Sequence, residues 1–142
     1  AALLPFYDID PKKVRMLGTG QWDEPGIGAE PALVGGWYAA PAPSARSGFE
    51  QEYKDVYGQL PPRLATIAYD AAALAAVLAQ LPEADRFSEK TLTNANGFAG
   101  RDGIFRFLSD GTAERGLAVL QVRQRDAVVV DKAPATFQTP TN

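Results

Sequence analysis

The chain has 142 residues, a net charge of −3, and neither cysteine nor histidine. This length suffices for one domain with a hydrophobic core, and 46% apolar with 22% charged residues is ordinary for a globular protein. Charges of both signs are interspersed, so the composition excludes the basic surface that a nucleic-acid partner requires. Without cysteine and histidine, Cys/His zinc sites and Ser-His or Cys-His nucleophile pairs are excluded as well. We therefore expect no catalytic residue, no metal site, no cofactor and no enzymatic activity.

The N-terminal sequence indicates a chain that has been trimmed. Its only methionine is Met16, and no export signal precedes the opening residues, so we expect that such a signal was removed or lies upstream. Residues Ala1–Tyr7 predict the end of a helix whose start is missing. The longest strongly apolar stretch, Ala71–Ala79, is too short to span a bilayer.

The first third of the chain predicts two short strands with a loop between them. Val14–Leu17 forms the first predicted strand, and the glycines and prolines of Gln21–Pro31 predict the loop. Leu33–Ala40 is the second predicted strand. Because side chains alternate across a strand, we expect Trp37 and Tyr38 on opposite faces.

The middle of the chain predicts helices. Pro43 suits the first turn of a helix, and Gly58 suits its C-terminal cap. From Leu64 to Leu81, apolar residues recur every three or four positions and alanines raise the helix propensity, so this helix is expected to be buried over much of its surface. Ser88 is expected to cap a short helix that continues to Leu92.

The last part of the chain predicts strands and a tight turn. Asn94–Gly103, rich in glycine and asparagine, is expected to be irregular, and Ile104–Phe107 to be a strand. Ser109–Thr112 predicts a hairpin turn after which Leu117–Val122 returns, and Val128–Val130 is a further strand. Two N-terminal strands without a crossover helix indicate an α/β fold whose sheets are incomplete.

An ordered set of segments resembles a known family. The segments are Lys13–Gly20, Gly35–Pro41, Phe49–Gly58, Ala65–Ala71, Phe98–Phe107 and the turn at Asp110-Gly111. In this order and spacing they resemble the C-terminal portion of the type I periplasmic solute-binding proteins. These are the leucine/isoleucine/valine-binding proteins of ABC importers and their relatives, including members of the penicillin-binding protein activator type.

The resemblance implies a partial type I periplasmic-binding-protein fold, with incomplete sheets and flanking helices from two lobes that enclose a ligand cleft. Residues 1–40 would be a second-lobe segment with a helix end, a strand, a loop and a hinge strand. Residues 41–100 would be a first-lobe helical segment, and residues 101–142 would hold a hinge crossing, hairpin strands and a C-terminal tail. A periplasmic or otherwise exported location is implied, with a lipid anchor expected in the missing N-terminal region.

The function implied by the resemblance is the non-catalytic ligand-binding component of a bacterial ABC-type uptake system. Its partners would be a small solute, such as an amino acid, and an ABC permease or another cell-envelope protein. The alternative is an envelope interaction or regulatory protein of the penicillin-binding protein activator type that transports no solute. Exposed sheet edges would pair with a second copy, so a homodimer of the fragment is also expected.

Five residues are predicted to bind the ligand: Gly20, Gln21, Trp22, Thr66 and Tyr69. Gly20 stands where amino-acid binders of the family place an acid for the ligand ammonium, which leaves the ligand open. Thr66 stands where they place an aromatic residue against the ligand. Trp22 is either a wall of the cleft or a plug on the core. Tyr69 either lines the cleft or belongs to a polar helix edge where Asp70 bonds to backbone, and for Asp70 the second interpretation is favoured.

Overall fold

The computed structural model describes residue 7, residues 9–10 and residues 13–137, so the helix end predicted over Ala1–Tyr7 lies, except for Tyr7, outside the described residues. Within them the chain is mixed α/β, as predicted. The helices are α1 (Pro43–Tyr57), α2 (Ala65–Leu78) and α3 (Glu89–Leu92). The strands are β1 (Leu17–Gly18), β2 (Trp37–Ala40), β3 (Phe98–Gly100), β4 (Gly103–Phe107), β5 (Ala113–Arg115), β6 (Ala118–Val122) and β7 (Ala127–Asp131).

The chain divides into two compact units. The first unit comprises the chain up to Ala42 together with Leu117–Ala133. The second unit comprises Pro43–Gly116 together with the chain from Pro134. The assignment of particular segments to the lobes of a larger protein stays a prediction.

The first unit is built on a four-stranded sheet in the order β1-β2-β6-β7. The pairing of β1 with β2 is parallel, whereas β2 with β6 and β6 with β7 are antiparallel. Tyr38 lies opposite Leu120, and both are buried in the core of this unit. Trp37 is half-buried, with the Arg15 guanidinium 4.1 Å above its ring, as expected from the alternation of faces.

Both strands predicted in the N-terminal region are shorter in the structure. The predicted strand Val14–Leu17 is reduced to Leu17–Gly18, and the prediction of a strand from Leu33 to Ala40 is wrong over its first half. Pro31–Leu33 forms a 3-10 turn, which proline at its first position favours. Gly35 then adopts a φ of +89°, a conformation outside the extended region, so the strand starts only at Trp37.

The second unit contains a three-stranded antiparallel sheet in the order β3-β4-β5. The predicted turn at Ser109–Thr112 is confirmed, because Asp110 Oδ1 accepts hydrogen bonds from Thr112 Oγ1 at 2.7 Å and from its N–H at 2.9 Å. The hydrogen bonds from Thr112, that of its side chain above all, lower the pKa of the Asp110 carboxyl.

Two predictions about the strands of this region are wrong. The strand that returns after the turn is β5, with Ala113 opposite Phe107, whereas Leu117–Val122 contributes β6 to the other sheet. Asn94–Gly103 is not wholly irregular, since β3 pairs with β4 and places Phe98 opposite Phe105. The glycines and asparagines before β3 form the turn that leads into it.

The helix ends follow the predicted signals. Helix α1 begins at Pro43 and ends at Tyr57, and Gly58 has the left-handed φ of +70° that suits a C-terminal cap. The Ser88 side chain accepts a hydrogen bond from Thr91 N–H at 3.2 Å and so caps α3 as predicted. No helix in the described part of the chain is both long and apolar enough to cross a membrane.

Helix α2 forms as predicted, but the prediction that most of its surface is buried is wrong. Its buried residues are Thr66, Asp70 and Leu78, which recur at steps of four and eight and so share one face. The two polar members hydrogen-bond within the second unit, and this turns other apolar side chains outward. Ile67 is 41% exposed and Val77 is 61% exposed.

Neighbouring residues near the end of α2 should therefore respond very differently to substitution. Val77→Gln should change the free energy of unfolding by less than about 0.5 kcal/mol, because its side chain is already in water. Leu78→Ala should cost about 2 kcal/mol, because Leu78 is only 4% exposed. Urea denaturation of the two variants measures both changes in the free energy of unfolding. Equal changes would contradict the prediction and show that Val77 is also buried in solution.

Candidate functional site

The first predicted binding segment, Gly20–Trp22, forms a 3-10 turn directly after β1. Thr19 begins the turn, because its Oγ1 accepts a hydrogen bond from Gln21 N–H at 3.4 Å and its carbonyl accepts one from Trp22 N–H at 2.9 Å. Asp23 N–H closes the turn on the Gly20 carbonyl at 3.1 Å. The backbone of Gly20 and the side chain of Gln21 are thereby presented to solvent.

Trp22 is anchored by the core of the first unit. Its ring packs against the core residues, with its centroid 6.4 Å from that of Tyr38. A methyl group at Gly18 would collide with the ring, and one at Gly36 would lie 2.9 Å from Cζ3. One part of the indole is therefore a core plug, while its half-buried state leaves another part open to solvent.

Gly20 has room for a side chain. A Cβ built there would meet the carbonyl of Ala39 at 3.4 Å, which is an ordinary contact distance. The missing acid at this position is therefore not imposed by packing, and an aspartate could be introduced without disturbing the turn.

The second predicted segment is the N-terminal half of α2, where Thr66 is buried. The Thr66 hydroxyl donates to Asp102 Oδ2 at 2.8 Å, and Arg63 Nη1 donates to the same oxygen at 3.2 Å. The Asp102 side chain is 2% exposed, so its charge is shielded from water and neutralised mainly by Arg63. Thr66 thus contributes its hydroxyl to an internal network.

Asp70 bonds to the backbone, as the favoured interpretation predicts. Its Oδ1 accepts a hydrogen bond from Arg101 N–H at 2.7 Å, and a Cβ at Gly100 would lie only 2.6 Å from its Cγ. Glycine at position 100 therefore allows the turn between β3 and β4 to approach the carboxylate. Asp70 and the Thr66–Asp102 hydrogen bond together fix that turn to α2.

Tyr69 lies at the surface of the second unit and is 43% exposed. Its ring centroid is 5.2 Å from that of Phe49, which holds the ring in place. Arg101 Nη2 donates to the Tyr69 hydroxyl at 3.5 Å and to Glu52 Oε2 at 3.0 Å. The hydrogen bond to Tyr69 and the attraction of Glu52 raise the pKa of Arg101, so a permanent cation stands beside an exposed hydroxyl.

The sequence analysis found Gly20, Gln21, Trp22, Thr66 and Tyr69 but missed Arg63, Arg101 and Asp102 as participants. The structure places the first three in one turn of the first unit and the other two on α2 of the second unit. Asp102 contacts Thr66 across 36 positions of sequence and Arg101 contacts Tyr69 across 32, whereas Arg63 lies only three residues before Thr66. The sequence signal at Asp102 is an Asp-Gly pair, which predicts a turn but does not indicate that the carboxylate is buried.

The described residues offer no metal centre. Among residues 7, 9–10 and 13–137, no group of three or more acidic, histidine or cysteine residues could hold a metal ion. In the first unit the predicted site residues provide an exposed glycine backbone, an amide and part of an indole, and in the second unit they provide a hydroxyl beside a guanidinium. That these groups bind a ligand stays a prediction.

No protein-family model and no curated protein sequence matches the chain. Several solved structures are similar to it. A Rhodospirillum rubrum protein assigned to branched-chain amino acid ABC transport is 25% identical over 82% of this chain, with a TM-score of 0.68. A leucine-binding protein of Thermotoga maritima is 19% identical over 88% of the chain with a TM-score of 0.52. A solute-binding protein of R. palustris in complex with benzoate is 15% identical over 89% with a TM-score of 0.55.

The chain spans only 37%, 41% and 38% of the lengths of these three proteins. It therefore has part of the fold of type I periplasmic binding proteins, and the predicted resemblance is confirmed. The first and third of these proteins are named for ABC transporters, and the second is named for leucine binding.

Proposed function

We propose that this chain is part of the non-catalytic ligand-binding component of a bacterial ABC-type uptake system. The observation that carries this proposal is the similarity to the Rhodospirillum rubrum protein, which combines 25% identity with a TM-score of 0.68. The complete protein would act in the periplasm or on the outer side of the cell membrane, held there by a lipid anchor, and would deliver its solute to an ABC permease.

Gly20, Gln21, Trp22 and Tyr69 are the proposed contacts with the solute. The first two are exposed at the turn after β1, and the open part of the indole adds an apolar surface. Tyr69 adds a hydroxyl whose position is set by Phe49 and Arg101. Thr66, whose hydroxyl donates a hydrogen bond to Asp102, supports the helix that carries Tyr69.

The proposed solute is a small amino acid or a related carboxylate. The similar proteins include one named for leucine binding and one that holds benzoate, and both molecules join an apolar group to a carboxylate. Because Gly20 supplies no acid, the solute does not depend on an ammonium contact at this position.

Calorimetry of the natural full-length protein against branched-chain amino acids and aromatic carboxylates tests the proposal. We expect one class to bind, and Trp22→Ala to weaken that binding at least about tenfold, because an indole contributes large contact area. Trp37→Ala is the matched control, since its indole faces Arg15, and binding should persist. Absence of binding to every compound of the panel, or unchanged binding by Trp22→Ala, would refute the proposal.

A second candidate function is that of an envelope interaction protein that transports no solute. The exposed apolar residues of α2 favour it, because apolar surface patches mark protein interaction sites. Capture of a cell-wall synthase by the full-length protein, lost in the Ile67→Gln/Val77→Gln variant and accompanied by no solute binding, would support this candidate.

We also propose that the 142-residue chain self-associates as a homodimer. Light scattering would refute this proposal by finding a monomer.

A further inference from the structure

A cavity of about 490 Å³ lies in the second unit, where α3 meets the turn between β4 and β5. Its apolar lining is provided by Phe87, Leu92, Phe107 and Leu108, and Glu89 also lines it. The volume lies within the range of small-molecule sites in proteins. None of the five predicted solute contacts belongs to this cavity.

The walls of the cavity are held by contacts that do not depend on a ligand. On one side, the Phe107 ring lies 5.8 Å from that of buried Phe105 and 6.4 Å from that of Phe98. On the other side, the cap from Ser88 fixes the single turn of α3 that carries Leu92. The cavity is thus pre-formed, which lowers the entropic cost of binding.

Phe87, at the edge of the cavity, has an unusual backbone. Its φ is +53°, and among the described residues it is the one non-glycine residue with a positive φ. A left-handed backbone is unfavourable for a side chain of this size, and such strain concentrates at functional sites. Burial does not explain it, because the residue is 49% exposed. The conformation places an aromatic ring on the cavity while much of the residue remains in water.

The charge of the lining indicates the chemistry of the ligand. Among the described residues that line the cavity, only Glu89 carries a charge. The other polar side chains of the lining are the hydroxyls of Thr93 and Ser109. A carboxylate beside four apolar side chains complements a molecule with an apolar body and a positive end. An anionic ligand would be repelled by Glu89.

We propose that this cavity binds a small organic amine, in which an apolar body fills the space between Leu92 and Phe107 and a primary ammonium group faces Glu89. The site is independent of the proposed solute contacts at Gly20–Trp22 and Tyr69.

The probe for this proposal is 2-phenylethylammonium, and its matched control is 2-phenylethanol, which has the same ring and linker but no charge. With the 142-residue chain, titration calorimetry and thermal denaturation should show that the amine binds and raises the melting temperature. The uncharged alcohol should bind more weakly and raise the melting temperature less, because it forms no ion pair with Glu89. Trp22→Ala should bind the amine as the unchanged chain does, so this result is separable from the test of the proposed function.

Variants then assign the site. Glu89→Gln should weaken amine binding roughly two- to fivefold, the range of a solvent-exposed ion pair, while Glu83→Gln in the preceding loop should have no effect. Phe87→Gly fits the left-handed backbone, so it should retain the fold and yet bind the amine more weakly.

Absence of amine binding at millimolar concentrations would overturn the proposal. Equal binding of the alcohol, or unchanged binding by both Glu89→Gln and Phe87→Gly, would overturn it as well. Weaker binding by a folded Phe87→Gly variant would support it, because a purely structural role of the ring would appear only in the melting temperature.

Discussion

Replacing Leu120 with alanine should lower the free energy of unfolding by about 3 kcal/mol. Leu120 is fully buried on the interior strand β6, with β2 on one side and β7 on the other. Truncation removes apolar surface from the core and leaves a cavity that strands on both sides prevent from collapsing. Urea denaturation followed by circular dichroism measures this loss.

The control for Leu120 is Val129, its direct partner on β7. Val129 is 41% exposed, so Val129→Ala should cost less than about 1 kcal/mol. If both variants lost the same stability, β6 would not be the centre of the first unit, and the sheet order described above would be wrong.

Replacing Arg63 with methionine should cost about 3 kcal/mol, because it leaves the Asp102 carboxylate buried without its cation. Asp102→Asn should cost less, since the Arg63 side chain is 27% exposed and its charge can turn to water, whereas that of Asp102 is 2% exposed. The two variants of one ion pair are thus expected to differ, and equilibrium denaturation at pH 7 compares them.

The double variant Arg63→Met/Asp102→Asn separates charge burial from packing. It should be more stable than Arg63→Met alone, because no unpaired charge remains inside the second unit. A double variant that loses the sum of both single costs would show that the two side chains act independently, contrary to their 3.2 Å contact.

Local signals predicted the elements that depend on local chemistry. Pro43 and Gly58 bound α1, Ser88 caps α3, and Asp110 forms the turn before β5, each through contacts within a few residues. Resemblance to a family predicted the fold, because the order of several weak segments carries information that no single segment holds.

The missed features depend on partners that are distant in sequence. Leu117–Val122 has the apolar composition expected of the strand that returns after the turn at Ser109–Thr112. A short turn, however, pairs the residues immediately after it, so Ala113 lies opposite Phe107 and the returning strand is β5. Glu114 is a suitable member of that strand because it forms an ion pair with Arg106. Gly35 delays the start of the predicted strand Leu33–Ala40 to Trp37, and only its φ of +89° reveals this.

The candidate site shows the same limit. Tyr69 is predicted either to line the cleft or to belong to a polar helix edge; it is 43% exposed, and its role in ligand binding stays a prediction. Nothing near Thr66 in the sequence indicates that Asp102, 36 residues later, accepts its hydrogen bond. The apolar pattern of α2 predicted burial correctly for Leu78 but not for Ile67, which is 41% exposed, because periodicity does not specify how much of a helix has a partner.

The order of strands in the first unit has a consequence for synthesis on the ribosome. Strand β2 needs β6 as its antiparallel neighbour, yet Pro43–Gly116, most of the second unit, lie between them in the chain. Strands β1 and β2 must therefore wait, with Tyr38 exposed, until Leu120 has emerged, whereas the helices and hairpin made in the meantime find their partners within Pro43–Gly116. During translation the segment that holds β1 and β2 is therefore exposed to aggregation and proteolysis for longer than the helices and hairpin that follow it.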